Sequence, residues 1–283
     1  ISKRFKGWKL NHGAPNLNIC NTKKNHLLQS YIDELLKKNF IKIDDSELVL
    51  LDEESNLETI NDSAFSCGNN YISLSSMSQL SKDIIGFNNL NENIDFYFET
   101  LIIGLSFNKN EWTLTSKNGD TFKTKYLVCT SNLLLHKRSL EILDVNQIPL
   151  RKAISQNKDE KIDSIFNYLD KQSFIPRLTF LIYANGNYSY KDFYYKKQRY
   201  FYLKKNLEKK YKFERIIFQL QDNNKLGIVI HIKNIDFINS YVKSKQDELF
   251  KQMICKSFNE VFEGNSSINK LNGNEKISIM KWR

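Results

Sequence analysis

The chain has 283 residues, of which 41% are hydrophobic and 26% charged, and 42 Lys and Arg residues face 32 Asp and Glu residues. This composition excludes a disordered polymer, and the length allows one large domain or two smaller ones. The net charge of +10 is compatible with a nucleic-acid partner. A/T-rich codon usage is an alternative source of this charge, because Asn, Ile, Tyr and Phe are also common, whereas Gly and Pro are scarce.

Several classes of protein lack support in the sequence. No apolar run approaches the ~20 residues that span a bilayer, and the N-terminus has no signal-peptide pattern, so we expect a cytoplasmic protein without a membrane partner. The widely spaced cysteines predict reduced thiols; they are Cys20, Cys67, Cys129 and Cys255. The histidines show no metal-ligand spacing, and no G-x-S-x-G, H-E-x-x-H or P-loop is present. We therefore expect no metal and find no support for a hydrolase or a kinase.

The first predicted elements are helical and extended in turn. From Asn25 onward, apolar residues recur every three or four positions, and Lys37 and Lys38 give the predicted helix a cationic last turn. Short strands are predicted at "FIKI" and "LVLL". A second helix is predicted over 77–85, after a serine cluster that can cap it.

The pattern between Ile94 and Thr130 predicts strands. The segments "TLIIGLSF", "EWTLTS" and "TFKT" predict a three-stranded meander, flanked by a strand at "IDFYF" and another at "YLVCTS". Asn118-Gly119 is typical of a type I′ hairpin turn. The apolar centre of "YLVCTS" predicts a strand that is buried on both faces.

The second half of the chain predicts a mixed α/β arrangement. A helix is predicted over 159–169, followed by the strands "RLTFLIYA", "FERIIFQL" and "KLGIVIHI", the last two joined by a short loop. The periodicity from Asp236 to Phe262 predicts one long helix, and "KISI" predicts a further strand. Phe180, Tyr183 and Tyr195 are candidate pocket-lining residues.

Four stretches together resemble the renalase-like, FAD-dependent oxidoreductases of the flavin amine-oxidase superfamily. The segments "KRFKGWKLNHGAP", "SSMSQLSKDI", "FETLIIGLSFNKNEWTLTSKNGDTFKTKYLVCTS" and "KWR" occur in the family's order. They resemble in turn an R-R…D-H-G-A-Q stretch, a G-M-x-x-L helix, a meander of the form W-x-L…G…D-x-V-V-x-A/T-x-P, and an H-R-W-R-Y stretch. The resemblance covers about half of the chain.

The resemblance implies an α/β fold of the mixed, α+β kind, in which an incomplete Rossmann-like FAD-binding domain is interleaved with a substrate domain of mixed sheet and helices. It assigns 1–27, 71–137 and 277–283 to the FAD-binding domain, and 28–70 and 138–276 to the substrate-binding domain. The family's G-x-G-x-x-G segment and its C-terminal FAD-binding segment have no counterpart here, so we expect this segment alone to bind FAD poorly and to be inactive.

The resemblance also implies the site. Residues at FAD-contacting positions are Arg4, Asn11, His12, Gly13, Ala14, Ile102, Thr130, Trp282 and Arg283. The guanidinium of Arg4 suits the pyrophosphate, and Gly13 allows the main chain to approach a ring closely. From the residues alone, His12 is better explained as a loop histidine bonded by the main chain, and the resemblance reverses this preference. No catalytic residue is assigned, because the flavin supplies the reactivity.

The implied activity is hydride transfer to the flavin from a small-molecule substrate, either an amine or a reduced nicotinamide, NAD(P)H. Two alternatives remain open. The stretch from Tyr188 to Arg215 interleaves basic and aromatic residues, which is the composition of an RNA-binding module, although a hairpin with Lys outward explains it as well. Asn11, Ser76 and Met280 replace the Asp, Gly and His common in the family, which is compatible with an inactive flavoprotein-like scaffold.

Overall fold

The computed structural model of the protein describes residues 7–19, 25–54, 56–60, 68–87, 94–155, 159–184, 197–221, 225–265 and 268–282. The helices are α1 (His26–Lys37), α2 (Met77–Phe87), α3 (Leu140–Leu143), α4 (Pro149–Ile154), α5 (Glu160–Asp170), α6 (Lys205–Tyr211), α7 (Ile235–Ser244) and α8 (Asp247–Val261). The strands are β1 (Leu17–Ile19), β2 (Ile41–Ile43), β3 (Glu47–Leu51), β4 (Leu57–Thr59), β5 (Asn69–Ser73), β6 (Ile102–Asn108), β7 (Glu111–Ser116), β8 (Thr121–Thr124), β9 (Arg177–Ala184), β10 (Gln198–Leu203), β11 (Arg215–Leu220), β12 (Leu226–Ile232) and β13 (Lys276–Trp282).

Helices and strands are intermixed, as the sequence predicts. The chain divides into two compact units: the first combines Ile1–Leu90 with Ile175–Arg283, and the second is Asn91–Phe174. The division into a flavin-binding and a substrate-binding domain stays a prediction. Within the described residues, no helix combines the length and the apolar character needed to cross a membrane.

A seven-stranded sheet dominates the first unit, in the order β13-β9-β12-β11-β10-β3-β4. Its strand pairs are antiparallel except for β10 with β3, which is parallel. Three of its strands are the predicted apolar segments, and β11 and β12 form the predicted antiparallel pair. In the register of the sheet, His231 on β12 lies opposite Thr179 on β9 and opposite Arg215 on β11.

One face of this sheet forms the main hydrophobic core of the unit, together with α6, α7 and α8. Because side chains alternate between the two faces of a strand, Phe180 and Ile182 of β9 belong to this core, whereas Leu181 and Tyr183 belong to a second cluster. The helices contribute buried side chains from each apolar stripe: Leu207, Ile238, Tyr241, Phe250, Ile254 and Phe258. The opposite face of the sheet is therefore available for other contacts.

A smaller sheet in the same unit has the order β1-β5-β2 and packs with α1 and α2. The predicted N-terminal helix is confirmed as α1: the Asn25 side chain accepts a hydrogen bond from the main-chain N–H of Leu28 at 3.0 Å. The helix ends at Lys37, and Asn39 has a φ of 57°, as is common after a helix. Leu27, although apolar, is exposed.

The second unit contains the predicted three-stranded meander, β6-β7-β8. The two flanking strands are not present, so the prediction was wrong for "IDFYF" and for "YLVCTS". No strand in the described part of this unit pairs with either segment, and Tyr126 and Val128 are 86% and 84% exposed instead of buried. The apolar centre of "YLVCTS" predicts a buried strand, but in the described part of the unit no neighbouring strand pairs with this segment.

The turn between β7 and β8 also differs from its prediction. Thr115 and Thr121 are the last paired residues, so the connection is longer than a two-residue hairpin. Gly119 has a φ of 93°, whereas Asn118 is not in the left-handed region, which excludes a type I′ turn. The Ser116 hydroxyl accepts hydrogen bonds from the main-chain N–H groups of Asn118 and Asp120 and thereby closes the loop.

The predicted long helix over 236–262 is in fact two helices, α7 and α8. Lys245 adopts a left-handed conformation with a φ of 53°, and its N–H donates to the carbonyl of Tyr241 at 3.2 Å, which ends α7. The polar run "KSKQDE" at this point interrupts the apolar periodicity between Val242 and Leu249. The interruption allows the chain to turn while both helices keep their apolar sides on the sheet.

Candidate functional site

A short extended segment crosses the face of the large sheet opposite the helices. This crossing segment, residues 8–12, buries Trp8, Leu10 and His12 and exposes Lys9. The alternation follows from extended geometry, in which every second side chain points to the same side. Trp8 meets the Tyr183 ring edge-on, with the ring centroids 5.1 Å apart.

Gly227 on β12 makes this close approach possible. A Cβ atom on Gly227 would lie 1.8 Å from Cδ2 of the fully buried Leu10. A glycine in the middle of a strand weakens the strand, so its presence here has a packing reason: any side chain would displace the crossing segment.

Gln219 and Asn11 hold the crossing segment in place. The Gln219 side chain accepts a hydrogen bond from the main-chain N–H of Asn11 and donates one to its carbonyl, both at 2.8 Å. The Asn11 side-chain oxygen in turn accepts from the N–H of Met77, the first residue of α2, at 3.0 Å. The Ser76 hydroxyl accepts from the N–H of Gln79 at 3.2 Å. Asn11 and Ser76 therefore satisfy two of the free N–H groups at the start of α2.

His12 belongs to a cluster of polar side chains on the same sheet face. We call His12, Thr179, His231 and Trp282 the polar cluster. The Trp282 indole N–H donates to the Thr179 hydroxyl at 2.9 Å, and that hydroxyl lies 3.3 Å from Nδ1 of His231. The His12 and Trp282 rings have centroids 5.4 Å apart. Three neighbouring strands, β12, β9 and β13, and the crossing segment thus bring their polar side chains to one place.

His231 is neutral in this environment. Burial, together with the smaller effect of the nearby charges of Arg215, Arg177 and His12, lowers the pKa of His231 to about 3. Nδ1 of His231 faces Thr179, and Nε2 has no hydrogen-bond partner among the residues that the structure describes. A buried polar atom without a hydrogen bond lowers the stability of the folded protein, unless a ligand or a water molecule bonds to it.

Cationic side chains surround the polar cluster. Arg177 forms an ion pair with Glu214, which also lies 3.9 Å from the ammonium of Lys233. Arg215 donates to the Tyr202 hydroxyl at 3.5 Å, and its Nε has no partner in the described part of the chain. Two guanidinium groups and one carboxylate leave an excess of positive charge, which favours neutral or anionic ligands over cations.

The structure places the predicted site residues in both units and brings some of those in the first unit together. The rings of His12 and Trp282 are neighbours. Asn11, Gly13 and Ala14 stand next to His12 in the sequence, and Ala14 is exposed. Ile102 and Thr130 belong to the second unit: Ile102 begins β6, and Thr130 is exposed in an irregular segment. The remaining predicted residues, Arg4 and Arg283, lie outside the described residues.

Two candidate pocket residues are corrected. Phe180 is fully buried in the core between the sheet and its helices, and Tyr183 is buried against Trp8, so neither side chain is exposed in the described part of the chain. The third candidate, Tyr195, lies outside the described residues. The prediction took apolar strand positions as pocket walls, whereas these strands are covered on both faces at those positions.

Sequence reasoning missed Gln219, Thr179 and His231, although a signal for them exists. Each is a polar residue inside a strongly apolar strand: Thr179 in "RLTFLIYA", Gln219 in "RIIFQL" and His231 in "LGIVIHI". Every second side chain of a strand points to the same face, so polar residues at such positions indicate a sheet face that carries polar contacts. The sequence alone does not show that the three strands are neighbours in the sheet.

Comparisons with known proteins identify the fold. No protein-family model matches the chain, and no curated protein matches it in sequence. A double mutant of putrescine oxidase with redesigned cofactor binding matches with a TM-score of 0.59 and 8% identity, over 99% of this chain and 75% of that one. A triple mutant of putrescine oxidase matches with a TM-score of 0.57 and 8% identity, over 92% and 72% of the two chains.

A flavoprotein/dehydrogenase from Cytophaga hutchinsonii matches with a TM-score of 0.52 and 9% identity, over 96% of this chain and 57% of that one. The chain thus spans little more than half of that flavoprotein. At such identities the likeness concerns the fold alone. The protein has a mixed α/β fold that matches FAD-binding flavoproteins.

Proposed function

We propose that this chain is the substrate-binding and flavin-facing part of an FAD-dependent oxidoreductase, similar to the renalase-like members of the flavin amine-oxidase superfamily. The observation that carries the proposal is the polar cluster, in which the rings of His12 and Trp282 and the neutral His231 lie together on one sheet face. The likeness of the fold to putrescine oxidase and to a flavoprotein/dehydrogenase supports it.

The residues of the polar cluster fit a flavin ring system. His12 and Trp282 offer aromatic surface, and Nε2 of His231 is a buried polar atom that a ring nitrogen or carbonyl oxygen can satisfy. Gly13 next to His12 allows the main chain to approach the ring. A bound flavin supplies the hydride-accepting chemistry, and the chain supplies orientation and electrostatics. Arg4, Ile102, Thr130 and Arg283 are further proposed FAD contacts.

The charges around the polar cluster favour one of the two hydride donors. An amine substrate in its ammonium form would be repelled by Arg177 and Arg215, and Glu214 is already paired with Arg177 and close to Lys233. A reduced nicotinamide nucleotide carries anionic phosphates and a neutral dihydropyridine ring, which suit this environment. We therefore propose NADH or NADPH as the reductant, with an amine as the alternative.

The described part of the stretch from Tyr188 to Arg215 does not favour the RNA-binding interpretation. Residues 185–196 lie outside the described part of the chain, and the described continuation forms β10 and α6. Within that continuation Phe201 is fully buried, and the Tyr200 hydroxyl donates to the buried carboxylate of Asp44 at 2.6 Å. Buried rings cannot serve as stacking platforms for bases.

Anaerobic reduction of the full-length protein tests the proposal. NADH, NADPH and a panel of amines are added to the flavin-loaded protein, and bleaching of the visible flavin bands is followed in a stopped-flow instrument. We expect a nicotinamide to bleach the flavin, and Arg215→Gln to slow that step by about tenfold, which corresponds to the loss of one close charge contact. Lys243→Gln, on the exposed side of α7, serves as the matched control.

Three outcomes are informative. Bleaching by an amine alone would contradict the assignment of the reductant and retain the oxidoreductase. A flavin that binds and that no reductant bleaches would support the inactive-scaffold alternative. If Arg215→Gln and Lys243→Gln slowed flavin reduction equally, the effect would come from the overall charge of the protein and not from the charges beside the polar cluster.

A further inference from the structure

A cavity of about 310 Å³ opens beside the crossing segment, and every residue that lines it belongs to the first unit. The side chains that matter most for its chemistry are Lys9, Lys42, Ser73, Ser75, Arg199 and Gln221. They come from the crossing segment, from β2, from β5 and the residues after it, and from β10 and the end of β11. The polar cluster contributes no residue to this cavity.

The lining carries three cationic side chains, Lys9, Lys42 and Arg199, and no acidic residue. Neither lysine forms an ion pair with a carboxylate in the described part of the chain. Asp45 pairs with Lys197 at 2.6 Å; this bond, and to a lesser degree Lys42, lower the pKa of Asp45. The positive charge of the cavity is therefore not cancelled by carboxylates of its own wall.

Arg199 is held in a fixed orientation. Its guanidinium lies 3.6 Å from the buried carboxylate of Asp44, and its Nε donates to the carbonyl of Phe218 at 3.4 Å. Asp44 also accepts a hydrogen bond from the Tyr200 hydroxyl at 2.6 Å. Because a guanidinium has five N–H donors in a rigid fork, this arrangement leaves donors for the cavity that Arg199 lines.

The wall opposite these cations is polar as well. The hydroxyl groups of Ser73 and Ser75 lie 3.3 Å apart, and Ser75 stands two positions before Met77, the first residue of α2. Cations and hydroxyl groups thus line one cavity.

We propose that this cavity binds a small molecule that carries a phosphoryl group. Such a group has about −1.5 to −2 charges at neutral pH and three acceptor oxygens, which match the ammonium groups of Lys9 and Lys42 and the remaining donors of Arg199. The volume suits a small molecule instead of a nucleic-acid strand, which needs an extended groove. The proposal needs neither a flavin nor a redox step, and the cavity is also lined by Asn11, one of the residues at FAD-contacting positions.

Titration calorimetry with inorganic phosphate tests the proposal directly. We expect saturable binding that Lys9→Gln and Lys42→Gln each weaken about fivefold, because each removes one charge at short range. Both residues are exposed, so neither substitution disturbs a packed side chain. Lys256→Gln, whose side chain is 81% exposed on α8, serves as the control and should leave the affinity unchanged.

Three results would overturn the proposal. Binding that does not saturate, or that Lys256→Gln weakens as much as Lys42→Gln does, would assign the phosphate affinity to the general positive charge of the protein. Citrate that binds as tightly as phosphate at equal ionic strength would indicate a carboxylate site. A single-stranded oligonucleotide that binds more tightly than phosphate and competes with it would indicate a nucleic-acid surface.

Discussion

Gln219 forms two hydrogen bonds with the main chain of Asn11, and Gln219→Ala removes both. The N–H and the carbonyl of Asn11 are then left unsatisfied in a partly buried position, so we expect the free energy of unfolding to fall by about 1–3 kcal/mol. Urea denaturation measures this change. Gln221→Ala is the matched control: its side chain accepts an exposed bond from the N–H of Lys9 and donates two long bonds of 3.3 Å to nearby carbonyls, and its effect should stay within about 0.5 kcal/mol.

A loss in Gln219→Ala no larger than that in Gln221→Ala would contradict the role given to Gln219. The crossing segment would then be held by the packing of Trp8 and Leu10 and by its hydrogen bonds with Gln221 and Met77.

His231 gives a stability that depends on pH. Its pKa in the folded protein, about 3, is below the ordinary value of 6.5, so between these values the unfolded state binds a proton that the folded state does not. The contribution of His231 is therefore complete above pH 6.5 and is lost as the pH falls towards 3. The free energy of unfolding should fall by up to about 1.4 kcal/mol per pH unit within this window.

His231→Gln removes this titration, so its unfolding free energy should vary less with pH than that of the unchanged protein. Urea denaturation at a series of pH values from about 7 to about 4 measures the difference. His26→Gln, at the exposed start of α1, should keep the steeper profile. Identical pH profiles for the unchanged protein and for His231→Gln would show that His231 is not buried in its neutral form.

Single residues of the site could be predicted where the sequence places them side by side. His12, Gly13 and Asn11 share one short stretch, so the stretch can be noticed as a unit. Gln219 and His231 could not be assigned to it, because their partners lie in distant parts of the chain and only the sheet brings them together. The hydrogen bond of Trp282 with Thr179 has the same long-range character.

At the scale of elements, the contact between the crossing segment and β12 depends on the absence of a side chain at Gly227. In Gly227→Ala the new methyl group would overlap Leu10, and we expect a loss of about 1–3 kcal/mol in the free energy of unfolding. Leu10→Ala alone should cost about 2–5 kcal/mol, because it leaves a cavity. The double variant should be more stable than the sum of the two losses implies, since the added methyl group fills part of the space that Leu10 vacates.

Gly86→Ala serves as the control for this pair. Gly86 lies on the exposed side of α2 with nothing within 4 Å of an added Cβ, so this change should stabilise the helix by about 0.5–1 kcal/mol. Strictly additive effects of Leu10→Ala and Gly227→Ala would contradict the direct contact between the two residues.

The predictable elements were those with a strong local pattern and clear ends. Helix α1 has an Asn cap and regular apolar spacing, and β9, β11 and β12 are strongly apolar. The wrong predictions concern segments whose structure depends on contacts with distant parts of the chain or on a single backbone conformation. "YLVCTS" has the composition of a buried strand and remains exposed without a neighbour, and the break at Lys245 is a single backbone conformation that the periodicity of the flanking residues conceals.

At the scale of the whole molecule, the mixed α/β class follows from the alternation of helices and strands in the sequence. The order of the large sheet does not, because β3 and β4 from the first part of the chain join strands from the second half. The two compact units were not predictable for the same reason: the first is assembled from two separate stretches of the chain.

The central claim is that this chain faces a flavin, and the flavin content of the protein expressed from its complete reading frame tests it most directly. The protein is incubated with excess FAD, freed of unbound cofactor and denatured, and the released flavin is quantified against the polypeptide. The account predicts tightly held flavin, stoichiometric with the protein. A well-folded, colourless protein that retains no flavin after this treatment would contradict it.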